Sequence, residues 1–464
     1  MTGKILHEGE GLYGLPRALA MFAVALSVLL SVLDYAIANV ALPTIAQDIH
    51  ASPSSSIWVI NAYQMACLAT LLPLASLGSR LGFARLCRIG LATFVVASVF
   101  CAMSHTLLEL ALARALQGIG GACIMSVNIA LVRFIYPHAE IGKGIALNGV
   151  VVATGVALGP TIASAVLSVA DWPWIFLINL PLGGAAMVAA LVYLPVTPRS
   201  LSSFDLPSAV LNVVAIGCLV VGLDSLAHRS GPVVAVWLLL IGAAAFFQLA
   251  RRQTGRSDPM LPLDLLAVPD FLIAFNVGAL AFVASNFFII SMPFTLETVL
   301  HRSAVATGLL ITPWPVGIVA ISPLVGRLAD RVPAGILSSI GLCVTGTGFV
   351  LLCLLPADAG NLDIAWRIAI AGMGFGIFQA PNNRAMMVAA PRGRSGSASG
   401  MVSVARLWGQ TLGAMFVALT FGFVRHDPTL RCLELAAACA FGAALVSSCR
   451  LVRGRRLAGG NNGE

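Results

Sequence analysis

Three ionisable side chains lie inside long apolar stretches, and they set the chemistry open to this chain. Asp34 sits within LSVLLSVLDYAIANVALPTI, with no other charge from Ala18 to Gln47. A charge at the centre of a membrane helix costs about 2.5–3.5 kcal/mol on insertion scales. Such a group is retained where it faces a cavity or a partner and serves an ion or substrate path. Apolar surroundings favour the neutral form of an acid, so Asp34 is placed to take up and release a proton. The alternative is a permanently paired acid that ties helices together. Tyr35 and Asn39 either line the same path or pack between helices. Arg114 is the second buried charge, with no acid near it in sequence except Glu109 toward the outer end. It must be paired or hydrated. It either acts on Asp34 through space or bonds to backbone carbonyls. Gln117 lies one turn along, on the same helix face. Arg406 is the third, near Gly409, Gln410 and Gly413, and could contact an anionic substrate or an acid.

Membrane helices must position these groups. Hydrophobic residues make up 59% of the 464-residue chain and charged residues 10%, against about 25% charged in soluble domains. Apolar stretches predict helices near 17–43, 57–78, 86–104, 107–132, 143–168, 173–195, 207–227, 232–250, 270–294, 305–326, 335–356, 364–389, 397–424 and 432–452. This is an all-α polytopic protein of about 14 transmembrane spans. With the N-terminus inside, the inner loops hold twenty of the 27 Lys and Arg and the outer loops five. That excess obeys the positive-inside rule and predicts both termini to be cytoplasmic. The net charge of +8 reads as this bias, so no nucleic-acid partner is expected. No cleavable signal peptide stands out. The ten Cys show no CxxC and no metal-ligand spacing, so no metal is expected.

An internal repeat organises the spans. Ser79-Arg80 after the second span matches Asp330-Arg331 after the tenth, with Gly78 and Gly326 nearby, at offsets near 251. Arg114 and Arg367 match at 253, and Gly155 and Gly159 match Gly409 and Gly413 at 254. The implied organisation is a six-helix bundle over 1–199, two inserted helices over 200–262, a second bundle over 263–452 and a cytoplasmic tail over 453–464. Parallel repeats of this kind are a transporter plan, with the site near the bilayer midplane.

The stretches LDYAIANVALP, RALQGIGGA, GVALGP, WPWIFLINLPLG, GFGIFQAPNNRAMM and PRGRSGSASGMVSVARLWGQTLGA carry a resemblance. The chain resembles the major facilitator superfamily, and within it the fourteen-span drug:proton antiporter branch. The resemblance implies proton coupling or cation recognition at Asp34 and proton coupling through Arg114, with the proton gradient as energy source and no cofactor. It implies a monomer in the bacterial inner (cell) membrane. It also implies a conformational switch at Gly149, Gly155, Gly159 and Pro160, and at the loop residues Arg80, Gly326, Asp330 and Arg331. Small residues at four-residue spacing let helices approach closely, and a proline bends the helix. Ser79 departs from the branch, which carries an aspartate there.

Asp and Glu are absent from the tenth and thirteenth spans, and Asp224, Glu297 and Glu434 read as solvated outer-end residues. A divalent cation would want two buried acids. Neutral, monocationic or amphipathic small molecules therefore fit better as substrates. Trp58, Tyr63, Phe288, Trp314 and Phe378, with Tyr35, Asn39, Gln117 and Arg406, are the candidate cavity residues. Asn382 and Asn383, after Pro381, would serve an unwound segment. The expected function is proton-coupled export of drug-like compounds by alternating access. The alternatives are a permease or exporter for one metabolite and, behind it, a non-transporting membrane sensor. No nucleotide loop, metal triad or nucleophile-and-base pair suggests an enzyme.

Overall fold

The computed structural model describes residues 10–460 apart from 201–203, 228–231, 257–258, 330, 357 and 392–393, and describes no side chains at 227, 232, 395–396 and 451–460. Among the described residues the regular structure is entirely helical. Only helices and closed barrels satisfy every backbone polar group without water, so a chain this apolar has few other choices.

We number fourteen long helices. In the first part these are α1 (Gly14–Asp48), α2 (Trp58–Leu81), α3 (Phe83–Ala102), α4 (Leu107–Ile135), α5 (Ile141–Leu167), α6 (Asn179–Tyr193), α7 (Leu206–Ala227) and α8 (Pro232–Gln253). In the second they are α9 (Pro269–Phe294), α10 (Pro313–Leu328), α11 (Ala334–Cys353), α12 (Asn361–Ala389), α13 (Ser395–Phe423) and α14 (Pro428–Gly460). Local chemistry fixes several ends. Thr106 and Glu109 form a capping box at the start of α4, which places Glu109 in a cap at the helix end. Gly82, at φ 96°, makes the sharp turn between α2 and α3. A π-helical turn, Thr295–Val299, follows α9, and Leu300 donates its N–H to the Thr295 carbonyl at 3.0 Å.

Thirteen helices among the described residues are long and apolar enough to cross a membrane. The expected span near 364–389 is present as α12 but is not among the thirteen. Arg367, Gln379, Asn382, Asn383 and Arg384 along it lower its apolar character. α12 continues through Pro381, so the expected unwound segment is absent there; Asn382 instead donates to the Ala274 carbonyl on α9 at 3.0 Å.

The chain divides into two compact units between Leu261 and Pro262. In unit 1, α1 packs on α4, α5 and α6, α4 on α2 and α3, and α3 on α6. In unit 2, α9 packs on α12, α13 and α14, α12 on α10 and α11, and α11 on α14. The pairing scheme is the same in both. α7 and α8 pair with each other, and α7 lies on α2 through Asn212, which donates to the Ala69 carbonyl at 2.7 Å.

The base of this pair is held by polar groups. Asp205 accepts hydrogen bonds from Ser208 at the start of α7 and ion pairs with Arg252 in the last turn of α8 and with Arg256 beyond its end. Partial desolvation opposes ionisation, but the Ser208 bonds and the two guanidinium groups outweigh it and hold the carboxyl below the usual carboxylate range. Gln253, buried, donates to Ser208 Oγ at 2.8 Å and accepts from the Met260 N–H at 2.7 Å.

Candidate functional site: a buried carboxylate–guanidinium cluster

In unit 1 the structure brings Asp34 and Arg114 together. Arg114 Nη1 donates to Asp34 Oδ2 at 2.6 Å, and both side chains are out of contact with water. The other carboxylate oxygen, Oδ1, accepts from Gln117 Nε2 at 2.8 Å and from Asn179 Nδ2 at 2.7 Å. Gln117 turns its carbonyl oxygen to Arg114 Nη1 at 2.6 Å and its amide nitrogen also to Ser98 Oγ at 2.9 Å. Arg114 Nε donates to the Val59 carbonyl on α2 at 3.0 Å. Five helices thus contribute: α1, α2, α3, α4 and α6. Of the two expectations for Arg114, an acid partner and a backbone carbonyl, both are present.

Physical necessity accounts for this number of contacts. Two charges taken out of water lose more hydration than their attraction returns unless further hydrogen bonds satisfy them. Arg114 Nη2 has no hydrogen-bond partner. The guanidinium is instead flanked by the Tyr63 ring at 4.6 Å and the Phe176 ring at 5.5 Å, and cation–π attraction strengthens where water is excluded. Chemically the cluster contains one carboxylate able to accept a proton and a fixed cation that must find other partners when it does.

The remaining candidate residues are distributed as follows. Asn39 is buried and donates to the Tyr35 carbonyl one turn back at 2.7 Å, while Tyr35 and Trp58 are half-buried. Arg406 is half-buried on α13. Phe288, Trp314 and Phe378 are buried in unit 2. Phe288 and Phe349 flank Trp314 at 4.8 and 5.8 Å between ring centres, and Phe375 joins Trp314 to Phe378 at 5.4 Å on each side. Gly155 and Gly159 let α5 approach α1: a Cβ on Gly159 would lie 2.3 Å from the Ala36 Cβ. Pro160 is buried beside them. Gly149 makes no such approach, since nothing lies within 4 Å of a Cβ there, and the same holds at Gly326. Arg80 donates to the carbonyl and hydroxyl of Ser76 and lies 5.4 Å from the Phe204 ring. Arg331 is exposed, and Asp330 lies outside the described residues. Glu434 is exposed and paired with Arg431, as a solvated end residue should be. Glu297 and Asp224 are half-buried instead, each with a carboxylate oxygen closed off from solvent.

Sequence reading missed Asn179 and Ser98. The available signal was an amide inside the apolar WPWIFLINLPLG stretch and a hydroxyl two turns after Gly90.

Glycine contacts fix the register of the repeat. A Cβ on Gly118 would lie 2.4 Å from the Tyr63 carbonyl oxygen, and one on Gly372 would lie 2.2 Å from that of Trp314. Gly90 meets the Gly120 carbonyl as Gly341 meets that of Gly374. One turn before Gly118 stands Arg114; one turn before Gly372 stands Ile368. Arg367, the match expected from sequence, is one residue out of this register. It pairs with Asp363 on its own helix at 3.0 Å. By the same contacts Ser98 corresponds to Phe349 and Gln117 to Ala371. Gly159 meets the Ala36 Cβ as Gly413 meets that of Asn286, which sets Asp34 against Ala284. Ser98, Phe349, Gln117, Ala371, Asp34 and Ala284 are all buried.

Comparison with known proteins fits this architecture. Residues 24–414 match the profile of the Major Facilitator Superfamily. The chain belongs to that family. It is 45% identical over 451 residues to the "Uncharacterized transporter YebQ" of Escherichia coli K12, covering 97% of this chain and 98% of that protein. It is 28% identical to the "Riboflavin transporter RibZ" of Clostridioides difficile, over 87% of this chain and 88% of the other. It is 30% identical to the "Multidrug efflux pump LfrA" of Mycolicibacterium smegmatis, over 86% and 81%. As a member of this superfamily the chain is a multi-pass membrane transporter, and its relatives include proteins named for drug efflux.

Proposed function

We propose that this chain is a proton-coupled secondary active exporter of small, amphipathic organic compounds, working by alternating access. The observation that carries this reading is the buried Asp34–Arg114 pair, closed by Gln117 and Asn179. With Asp34 ionised the pair is neutral. A proton on Asp34 leaves Arg114 as an uncompensated buried cation, held by Gln117 and Val59. The two states differ by one charge in a dry environment, where charge differences weigh most. A proton arriving there is therefore a strong bias on the packing of α1 against α4 and α6. The names of several relatives support drug-like substrates.

The same reading takes α12 as the fourteenth span, both termini as cytoplasmic and the bacterial inner membrane as the location. It takes 1–199 and 263–452 as the two bundles, 200–262 as an inserted helix pair, 453–464 as a tail and the working unit as a monomer. Protons are the coupling ion and no cofactor is required. Asp34 and Arg114 are the coupling residues, and Gly155, Gly159 and Pro160 belong to the switch.

A second reading, transport of one metabolite, draws on the likeness to a protein named as a riboflavin transporter. The test is efflux of a fluorescent lipophilic cation from energised cells, wild type against Asp34→Asn. Efflux that a protonophore stops and the variant lacks supports the first reading. Undiminished efflux by Asp34→Asn removes Asp34 from coupling. No efflux by wild type moves the single-metabolite reading ahead.

A further inference from the structure

Unit 2 holds an acid for which the cluster at Asp34 has no use. Glu297 lies within the π-helical turn Thr295–Val299 that follows α9, which has Pro293 as its penultimate residue. π-turns are a regular way for a helix to end, and this one places Glu297 beside the helix Ala304–Ile311. Three polar atoms around this turn are buried and lack a hydrogen-bond partner: Glu297 Oε1, Arg302 Nε and Thr307 Oγ1. Thr307 is on the helix Ala304–Ile311, which packs against the turn, and is fully buried. Its hydroxyl lies beside the Glu297 carboxyl but outside hydrogen-bond geometry.

The charges around the turn do not neutralise Glu297. The helix Ala304–Ile311 carries no titratable residue, and on α9 the one acid, Asp270, is at the opposite end. His301 and Arg302 occupy the intervening loop. Arg302 gives its Nη2 to the Ala359 carbonyl at 2.7 Å and forms no ion pair with Glu297. A carboxylate with one oxygen sealed from water and no donor on it is in an unfavourable state. Binding a proton relieves it, and the unpartnered Thr307 oxygen then has an O–H to accept.

We propose that Glu297 is a second proton-binding site of this chain, separate from Asp34, with the Thr307 hydroxyl as its hydrogen-bond partner. The inference does not depend on the direction of transport or on the substrate. Glu297 is carried on the π-turn and Thr307 on the helix packed against it, so protonation and the packing of this turn are linked.

The test is pH-difference infrared spectroscopy on the full chain in lipid nanodiscs, in which a protonated, poorly solvated carboxyl gives its own C=O band. The expected result is one such band that Glu297→Gln removes and Asp34→Asn leaves in place. Thr307→Val should move that band without removing it, which guards against a folding defect in the glutamine variant. A spectrum unchanged by Glu297→Gln overturns the proposal. So does a band displaced by sodium at constant pH, which would make the site a metal-cation site. Because the measurement needs no transport, failure of the efflux reading leaves this result standing.

Discussion

The same layer of the repeated scaffold is built in two opposite ways. In unit 1 it holds Asp34, Ser98, Arg114 and Gln117 around the Tyr63 ring, joined by hydrogen bonds of 2.6–2.9 Å. In unit 2 the corresponding positions are Ala284, Phe349, Ile368 and Ala371 around Trp314, and Trp314 stacks on Phe349. The glycine contacts that let the helices approach are alike in both units. A shared backbone therefore fixes where side chains meet and leaves open whether charge or dispersion holds them. In this layer the titratable groups stand in unit 1, and unit 2 fills the corresponding positions with apolar side chains.

That contrast is open to direct tests. Asp34→Asn should abolish uphill efflux, down to the level of cells without the protein, because it removes the one carboxylate of the cluster while keeping its shape. Arg114→Leu should follow, costing about 3–5 kcal/mol, since it strands Asp34 as an unpaired buried charge. A melting curve in detergent checks this, and recovery in Asp34→Asn/Arg114→Leu would show that the stranded charge is the cause. Placing the missing cation in unit 2, by Ile368→Arg, should cost about 2.5–3.5 kcal/mol at a helix centre without gaining transport. Membrane yield and melting temperature report it. Gly118→Ala and Gly372→Ala should each cost about 1–3 kcal/mol, and by similar amounts, because both press a methyl group onto a backbone carbonyl. Unequal losses would break the equivalence of the two units. The smallest effect belongs to Gly326→Ala, where a Cβ meets nothing within 4 Å; a change within about 0.5 kcal/mol is expected.

The spans were legible because apolar length is a local property. Thirteen of the fourteen stand as helices apolar enough to cross, and α12 fell short through the polar residues that it carries inside unit 2. The centre of the cluster was legible as well, because Asp34, Arg114 and Gln117 are costly inside an apolar stretch whatever the fold. Asn179 and Ser98 were not, since an amide or hydroxyl is inexpensive enough to occur without a role. Their importance comes from helix register. Register also explains Arg367. Residue type matched it to Arg114, but one residue along a helix is about 100° of rotation, and that turned it toward Asp363. Glu297 was read as solvated from its place near a helix end; the π-turn and the packed helix Ala304–Ile311 enclose one of its oxygens.

The cluster also has a consequence for biogenesis. Asp34 and Arg114 are separated by 80 residues of chain, and Asp34 and Asn179 by 145. At about 5–20 residues per second, the ribosome needs roughly 4–16 seconds between making the acid and making its cation. During that interval α1 must enter the bilayer, or wait at its edge, with a carboxyl that only water or a proton can satisfy. Asp34→Asn should therefore integrate its first helix at least as readily as wild type, and the insertion machinery meets the demands of this residue before transport ever does.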